Sequence, residues 1–367
     1  MDVYLARARV KEFRRWWLPM ESLLEKMERL FQAAEMSALV ENGSKIGIKL
    51  HMGEPGNVHY MRPAYAWKLV DIVKNLGAEP VVVETCGLGA APGRTSASRY
   101  IEAARRNGFS KETLGAPLLI IDGEEGLDME SVDGIPVAKG IFDLDSMLVL
   151  SHATGHIQAG FGGALKNIAL GCVAKPGKFR VHYDGKPGIN INACSSCGVC
   201  IARCPVDAIS DEQPMNITGD CILCGDCTEI CPEGAIKAKF TSAETLSKRI
   251  AENAAAVTKA LNGRLGYLTL LMDVLPHCDC HPHSDIPVVP DIGILASMDP
   301  VGIDKAAVDM INTSYDIRGS EAETVGALEG EIDLLTKLNP ETRWSLQLEE
   351  AERLELGKMN YKLMEVS

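Results

Sequence analysis

KIGIKLHMGEPGNVHYMRPAYAWKLVDIVKNLGAEPVVVETC (45–86) decides the fold. KIGIKLHM (45–52) reads as a buried strand. PAYAWKLVDIVKNLG (63–77) spaces its apolar residues as an amphipathic helix does and stops at a glycine, and PVVVETC (80–86) is a strand again. Outward from this core the alternation continues. SASRYIEAARRNG (96–108) reads as a helix, APLLIIDG (116–123) as a strand, and SMLVLSHATGH (146–156) as a strand running into a loop. Strands alternating with helices imply an α/β fold, a largely parallel sheet with helices on both faces. In such sheets the functional loops lie beyond the carboxyl ends of the strands, where His51, Cys86 and His152 fall.

Residues 189–239 interrupt the pattern with a turn-rich, cysteine-dense stretch, after which it resumes. A capped alanine-rich helix (243–262) precedes the strand YLTLLMDV (267–274) and then DIGILASMD (291–299). A helix opens at Pro300 behind Asp299, the order of an N-cap followed by proline at the first helical position. The tail ETRWSLQLEEAERLELGKM (341–359) is amphipathic and helical in pattern. The expected plan is one discontinuous α/β domain, 1–188 and 240–367, interrupted by a small module at 189–239.

Among 367 residues, 46% are hydrophobic and 24% charged, the balance of a folded globular chain. The formal charge of −13 speaks against nucleic acid, whose phosphates it would repel. No stretch approaches the roughly 20 apolar residues of a membrane helix. MDVYLARARVKEFRRWW (1–17) lacks the apolar centre and small-residue cleavage site of an export signal, so a cytoplasmic location is expected. In that setting twelve cysteines point to reduced thiolates serving metals rather than to disulfides.

Eight of them form CSSCGVCIARCP (194–205) and CILCGDCTEICP (221–232), each C-x2-C-x2-C-x3-C-P, the second repeating the first 27 positions later. PVDAI (205–209) and PEGAI (232–236) extend the duplication. In this spacing the fourth cysteine of each run ligates the other run's cluster. Cys194, Cys197, Cys200 and Cys231 are thus expected on one [4Fe–4S] cluster, and Cys221, Cys224, Cys227 and Cys204 on a second. Gly198 and Gly225 sit inside the tight ligand loops, where positive φ costs least. Zinc also takes C-x2-C pairs, but two identical four-cysteine runs ending in proline fit iron–sulfur ligation better.

The interrupting module resembles a bacterial-type two-cluster ferredoxin, a small α+β fold. The whole chain resembles the iron–sulfur members of the family called domain of unknown function 362. The second resemblance rests on HATGHIQAGFGGALKNIALGC (152–172), KPGKFRVH (175–182), CDC (278–280) and DIGILASMDPVGID (291–304). It implies an α/β domain carrying a ferredoxin module and no known reaction.

Other residues suggest a second site. GFGGALKN (160–167) is a glycine-rich turn opening a helix, so Gly162, Gly163, Lys166 and Asn167 are candidates for binding an anion or substrate, against a plain packing turn. HCDCHPH (277–283) follows an apolar run. As an extended segment it would point Cys278 and Cys280 to one side and Asp279 away. With His152 and His156 at a neighbouring strand end, the pair can offer ligands to one zinc or iron ion; alternatively they are free or redox-active thiols. Cys86 and Cys172 have the default reading of small buried residues. Asp299 is explained by capping.

The expected function is low-potential electron transfer through two [4Fe–4S] clusters, serving a redox partner protein or a reduction site in the α/β domain. The rivals are a ferredoxin-dependent reductase with a Cys/His metal or substrate site at the strand ends, and a non-redox metal-binding protein with structural clusters. A homo-oligomer is compatible with the sequence.

Overall fold

The computed structural model describes residues 1–9, 21–89, 92–212, 214–327 and 333–366, so the stretch read for an export signal lies partly outside the described residues. Eight strands form the main sheet: β1 (Asp2–Arg7), β2 (Lys45–Lys49), β3 (Glu79–Glu84), β4 (Leu118–Ile120), β5 (Ser146–His152), β6 (Leu265–Leu271), β7 (Gly293–Ser297) and β8 (Lys362–Glu365). Their spatial order is β8-β1-β7-β6-β5-β2-β3-β4. Only β7 runs against its neighbours, β1 and β6; the other pairs are parallel. The sheet is largely parallel, as the alternation of strands and helices requires.

Successive strand residues serve opposite faces. Ile46, Ile48, Leu148, Leu150, Leu268 and Leu270 face one apolar layer, built with α1 (Leu23–Ala33), α2 (Pro63–Asn75) and α3 (Ala97–Arg106). Met147, Val149, Tyr267 and Leu271 face the other, built with α4 (Ala164–Gly171), α5 (Lys175–His182), α6 (Ala243–Ala260), α7 (Pro300–Asn312) and α8 (Trp344–Arg353). Every residue of β6 is buried. At about 1.5–3 kcal/mol for each large aliphatic side chain removed from water, such strands anchor the fold.

Helix ends follow local chemistry. Pro63 occupies the first turn of α2, and Gly77 just beyond its end has φ 84°. Ser242 caps α6 by accepting Thr245 N–H at 3.2 Å. Asp299 caps α7, accepting Val301 N–H and Gly302 N–H at 2.8 Å each ahead of Pro300.

Chain order and sheet order together place the site. From β2 the chain steps outward through β3 to β4, then returns so that β5 pairs with the other side of β2. The reversal opens a crevice beyond the carboxyl ends of β2 and β5, where ligands bind in open α/β sheets. After α5 the chain leaves the main sheet. Tyr183–Ile189 and Ile236–Phe240 pair antiparallel, and between them lie two short helices, Val199–Arg203 and Asp226–Ile230, and the strand pair Ile209–Ser210 and Asn216–Ile217. Cys200, Ile209, Met215, Ile217 and Ile236 form a small separate apolar cluster there.

Candidate functional site

A cavity of about 300 Å³ fills the crevice. His51 follows β2, Glu84 and Thr85 close β3, and Ser151 and His152 end β5; all five line it. α4 contributes Lys166 and Asn167, α5 contributes Lys178 and His182, and the β6–β7 connection contributes Cys278, Asp279, Cys280 and His281. Tyr183, Phe240, Ile157 and Leu88 add apolar wall.

The two thiols meet differently from expectation. Residues 278–280 are not extended but turn, with Cys280 N–H donating to Cys278 Sγ at 3.3 Å and His281 N–H to Cys278 O at 3.2 Å. The turn is held from outside: Arg94 donates to Cys280 O at 3.1 Å, and Glu54 N–H to Asp279 O at 3.0 Å. Donor atoms of His156, Cys278 and Cys280 all lie within 4.8 Å of one another, close enough to share one metal ion. Lys166 Nζ is 3.6 Å from Cys278 Sγ. Cys278 donating its proton to Cys280 holds the Cys280 thiol well below the ordinary range against the effect of burial, with Lys166 and His156 adding to it. The same bond, with burial, pushes Cys278 well up. The two thiols thus shift in opposite directions, Cys280 toward the thiolate and Cys278 toward the thiol.

His156 is oriented by its backbone. Its Nδ1 accepts Gln158 N–H at 3.2 Å and Ala159 N–H at 3.0 Å, which leaves the neutral ring's proton on Nε2. Burial, then Lys166, pushes its pKa down to about 4, so the ring is neutral. His182 beside it is pushed down to about 3 by burial, His156 and Lys166, and its Nδ1 lies 2.7 Å from Gln158 Oε1.

Asp279 does not face away from the thiols: its Oδ1 lies 3.5 Å from Cys278 Sγ, and the carboxylate also meets two histidines. His51 Nδ1 lies 3.2 Å from Oδ1, and His152 Nδ1 3.5 Å from Oδ2. Burial opposes ionisation of Asp279, but the two rings outweigh it and hold the carboxyl well below its usual range. His152 Nε2 lies 2.8 Å from Met272 O and 3.1 Å from Asp273 O. Burial lowers the pKa of His152, and Asp279, the Met272 carbonyl and the Asp273 charge together raise it by more. His152 therefore belongs with Asp279 and not with the donor group of His156, Cys278 and Cys280.

Deeper still, buried Lys49 on β2 donates to Glu84 Oε1 and to Asn167 Oδ1, each at 2.7 Å. Asn167 Nδ2 in turn donates to Leu150 O and Ser151 Oγ at 3.0 Å. Lys178 donates to Thr85 Oγ1 at 2.8 Å, and burial pushes its ammonium down despite Asp122 and Glu84 nearby.

The start of α4 carries a correction. Its amides are not free for an added anion: Asp304 of α7 accepts Ala164 N–H at 2.7 Å and Leu165 N–H at 3.0 Å. A Cβ on Gly163 would lie 2.2 Å from Asp304 Oδ1, so this glycine is needed for that close approach. Lys166 and Asn167 remain at the cavity wall with Gly162 and Gly163.

The eight repeated cysteines sort into two sets. Cys194, Cys197, Cys200 and Cys231 line one small cavity, and Cys204, Cys221, Cys224 and Cys227 line another. Gly198 and Gly225 are left-handed, with φ 73° and 81°. Main-chain N–H groups point at the sulfurs in the same pattern in both repeats: Ala208 to Cys204 Sγ at 3.2 Å, and Ala235 to Cys231 Sγ at 3.3 Å. The second set abuts α5. Lys175 donates to Asp226 Oδ1 at 2.7 Å, both side chains buried, and a Cβ on Gly225 would come within 2.9 Å of Phe179. Phe179 packs on Tyr183 with centroids 4.7 Å apart, and Tyr183 stacks on Phe240 at 5.0 Å. Tyr183 and Phe240 are cavity walls.

The family described as a domain of unknown function, DUF362, matches residues 46–309. The chain belongs to it. Among solved structures this DUF362 chain is similar to a Thermotoga maritima protein, at 14% identity and a TM-score of 0.35, over 68% of this chain and 50% of that one. The chain thus spans half the length of that protein. It is also similar to the lactate racemase apoprotein of Thermoanaerobacterium thermosaccharolyticum, at 12% identity and a TM-score of 0.41, over 100% of this chain and 82% of that one. No curated protein matches it.

Within the DUF362 chain, Cys86 and Cys172 are buried, as their default reading has it; Cys86 Sγ faces Gly123 O and Glu124 O at 3.6 and 3.7 Å. Sequence reasoning missed Lys49, Glu84, Asp279 and Lys178 as members of the site. Charged residues at or beyond the ends of apolar strands were the available signal for the first three. Among the described residues no helix is long and apolar enough to cross a membrane.

Proposed function

We propose that the chain is a low-potential electron-transfer protein carrying two [4Fe–4S] clusters, one on Cys194, Cys197, Cys200 and Cys231 and one on Cys204, Cys221, Cys224 and Cys227. The observation that carries this reading is the sorting of eight thiols into two four-member sets, each completed by the last cysteine of the other repeat. Sulfur-only donors, left-handed glycines in the ligand loops and N–H groups aimed at sulfur all fit an anionic cubane cluster. Such a cluster supplies one electron at a time. The chain's own residues supply an exit: Phe179 and Tyr183 lead from the Gly225 loop to the cavity wall, so the cavity is the reduction site and a redox partner protein loads the module from its outer side.

Anaerobically purified protein should contain about eight irons and eight sulfides per chain. Cys197→Ser and Cys224→Ser should each remove one cluster's signal from the reduced protein's electron paramagnetic resonance spectrum and leave the other's. Two zinc ions in place of iron would overturn the reading.

A further inference from the structure

We infer that Cys278 and Cys280 form a redox-active dithiol that reduces a low-molecular-weight disulfide held in the cavity. It deepens the electron-transfer reading and rests on it only for the source of the reducing electrons.

The geometry separates the two obvious uses of this thiol pair. A metal shared by His156, Cys278 and Cys280 needs a lone pair from the imidazole. A metal-bound histidine ordinarily donates its second N–H to a carbonyl or carboxylate. Here the second nitrogen, Nδ1, instead accepts two main-chain N–H groups, so the proton sits on Nε2 and the ring is a donor toward the cysteines. A donor suits a sulfur anion and not a metal. Lys166 Nζ, 3.6 Å from Cys278 Sγ, favours that sulfur as an anion once it has given up its proton. The turn that holds the thiols is pinned at the Asp279 and Cys280 carbonyls, and Cys280 N–H already reaches Cys278 Sγ. The two sulfurs lie within 4.8 Å of each other.

The two cysteines also differ in access. Cys278 is buried and Cys280 partly exposed, which assigns Cys280 the attack and Cys278 the resolution. The Cys280 thiolate attacks one sulfur of the substrate disulfide, forming a mixed disulfide and releasing the first thiolate. Cys278 passes its proton to that leaving thiolate and attacks Cys280 Sγ, releasing the second. The substrate gains two electrons and one proton, and the protein is left with a Cys278–Cys280 disulfide. Two one-electron reductions from the cysteine-rich segment and one proton restore the starting pair. A cavity of about 300 Å³ walled by Tyr183, Phe240 and the sheet ends limits the substrate to a small molecule.

The test uses the full, cluster-loaded chain with its thiols reduced and its clusters oxidised, kept anaerobic, with cystine as probe. Peptide mapping should find a Cys278–Cys280 disulfide, with two cysteines released per chain. Cys278→Ser should stop at one cysteinyl adduct on Cys280, and Cys280→Ser should form neither adduct nor disulfide. Failure of cystine to modify either residue overturns the proposal, as does a stoichiometric metal ion on the pair that protects both thiols until chelated. His156→Ala, which leaves both sulfurs in place, should slow the reaction without abolishing it; loss of metal on that change would count for a metal site. Iron and sulfide content in the same samples reads the electron-transfer assignment separately, since the dithiol can react once with cystine whether or not clusters are present.

Discussion

A thiol that is ionised at neutral pH keeps reacting with an alkylating agent as the medium is acidified, whereas an ordinary thiol slows about tenfold for each unit below its pKa of about 8.5. Cys280 is held below that range by the Cys278 proton, Lys166 and His156, so its alkylation rate should fall less steeply than an ordinary thiol's between roughly pH 8 and 6. Cys278, pushed up by the same bond, should be slow throughout. Lys166→Met removes a charge that favours the thiolate and should cut the Cys280 rate at pH 7 on the order of tenfold. Site-resolved mass spectrometry after timed alkylation checks both, and a rate for Cys280 that falls steeply with pH would refute the assignment of the thiolate.

At the level of elements, two buried carboxylates serve different ends. Asp304 serves the start of α4, and burial pushes its pKa up to about 7 against the two amides that favour its charge. The folded protein therefore binds a proton that the unfolded chain has released, and this contribution to stability is full below about pH 4 and lost as the pH rises through about 7. Asp304→Asn should remove that slope, worth a few kcal/mol, from urea midpoints measured across the window. Asp226 shows a different asymmetry. It holds both Lys175 and Arg203, each at 2.7 Å, whereas Lys175 is wholly buried. Asp226→Leu strands the lysine and should destabilise by about 3–5 kcal/mol. Lys175→Met leaves Asp226 its arginine and should cost less, a ranking that denaturant titration decides.

The same scale shows what could be read in advance. Periodicity located α2, α3 and α6 because each has one broad apolar face, and the Asp299–Pro300 pair marked the start of α7. β8 escaped because all four of its residues are exposed, leaving no burial pattern to read. The thiol turn could not be told from an extended segment, since periodicity says nothing about a loop pinned by Arg94 and Glu54 from distant elements. The meeting of His51, Asp279 and His152 depends on β2, β5 and β6 being neighbours. That order is a property of the sheet and not of any local stretch.

For the molecule as a whole, the small apolar cluster around Cys200 and Ile217 contrasts with the two large layers on the main sheet. Five buried side chains offset little of the ordering of some fifty residues at roughly 1–2 kcal/mol of backbone entropy each, so the proposed clusters would contribute to holding this region. Iron chelation should therefore expose residues 189–239 to hydrogen exchange and proteolysis while the strands of the main sheet stay protected. Uniform protection after iron loss would show that the segment stands without its clusters.

The reversed direction of β7 has a further consequence. A parallel successor to β6 would carry the chain away through a helix to the far end of the sheet, but β7 brings it straight back, so residues 272–292 leave from and return to adjacent strands at the same rim. Both anchors are fixed by five register pairs between β6 and β7, and closing a longer loop adds little entropy cost. The stretch bearing the thiols is thus a cassette: it can be exchanged, lengthened or grafted onto a relative's rim to retune substrate choice while the scaffold beneath keeps its registry.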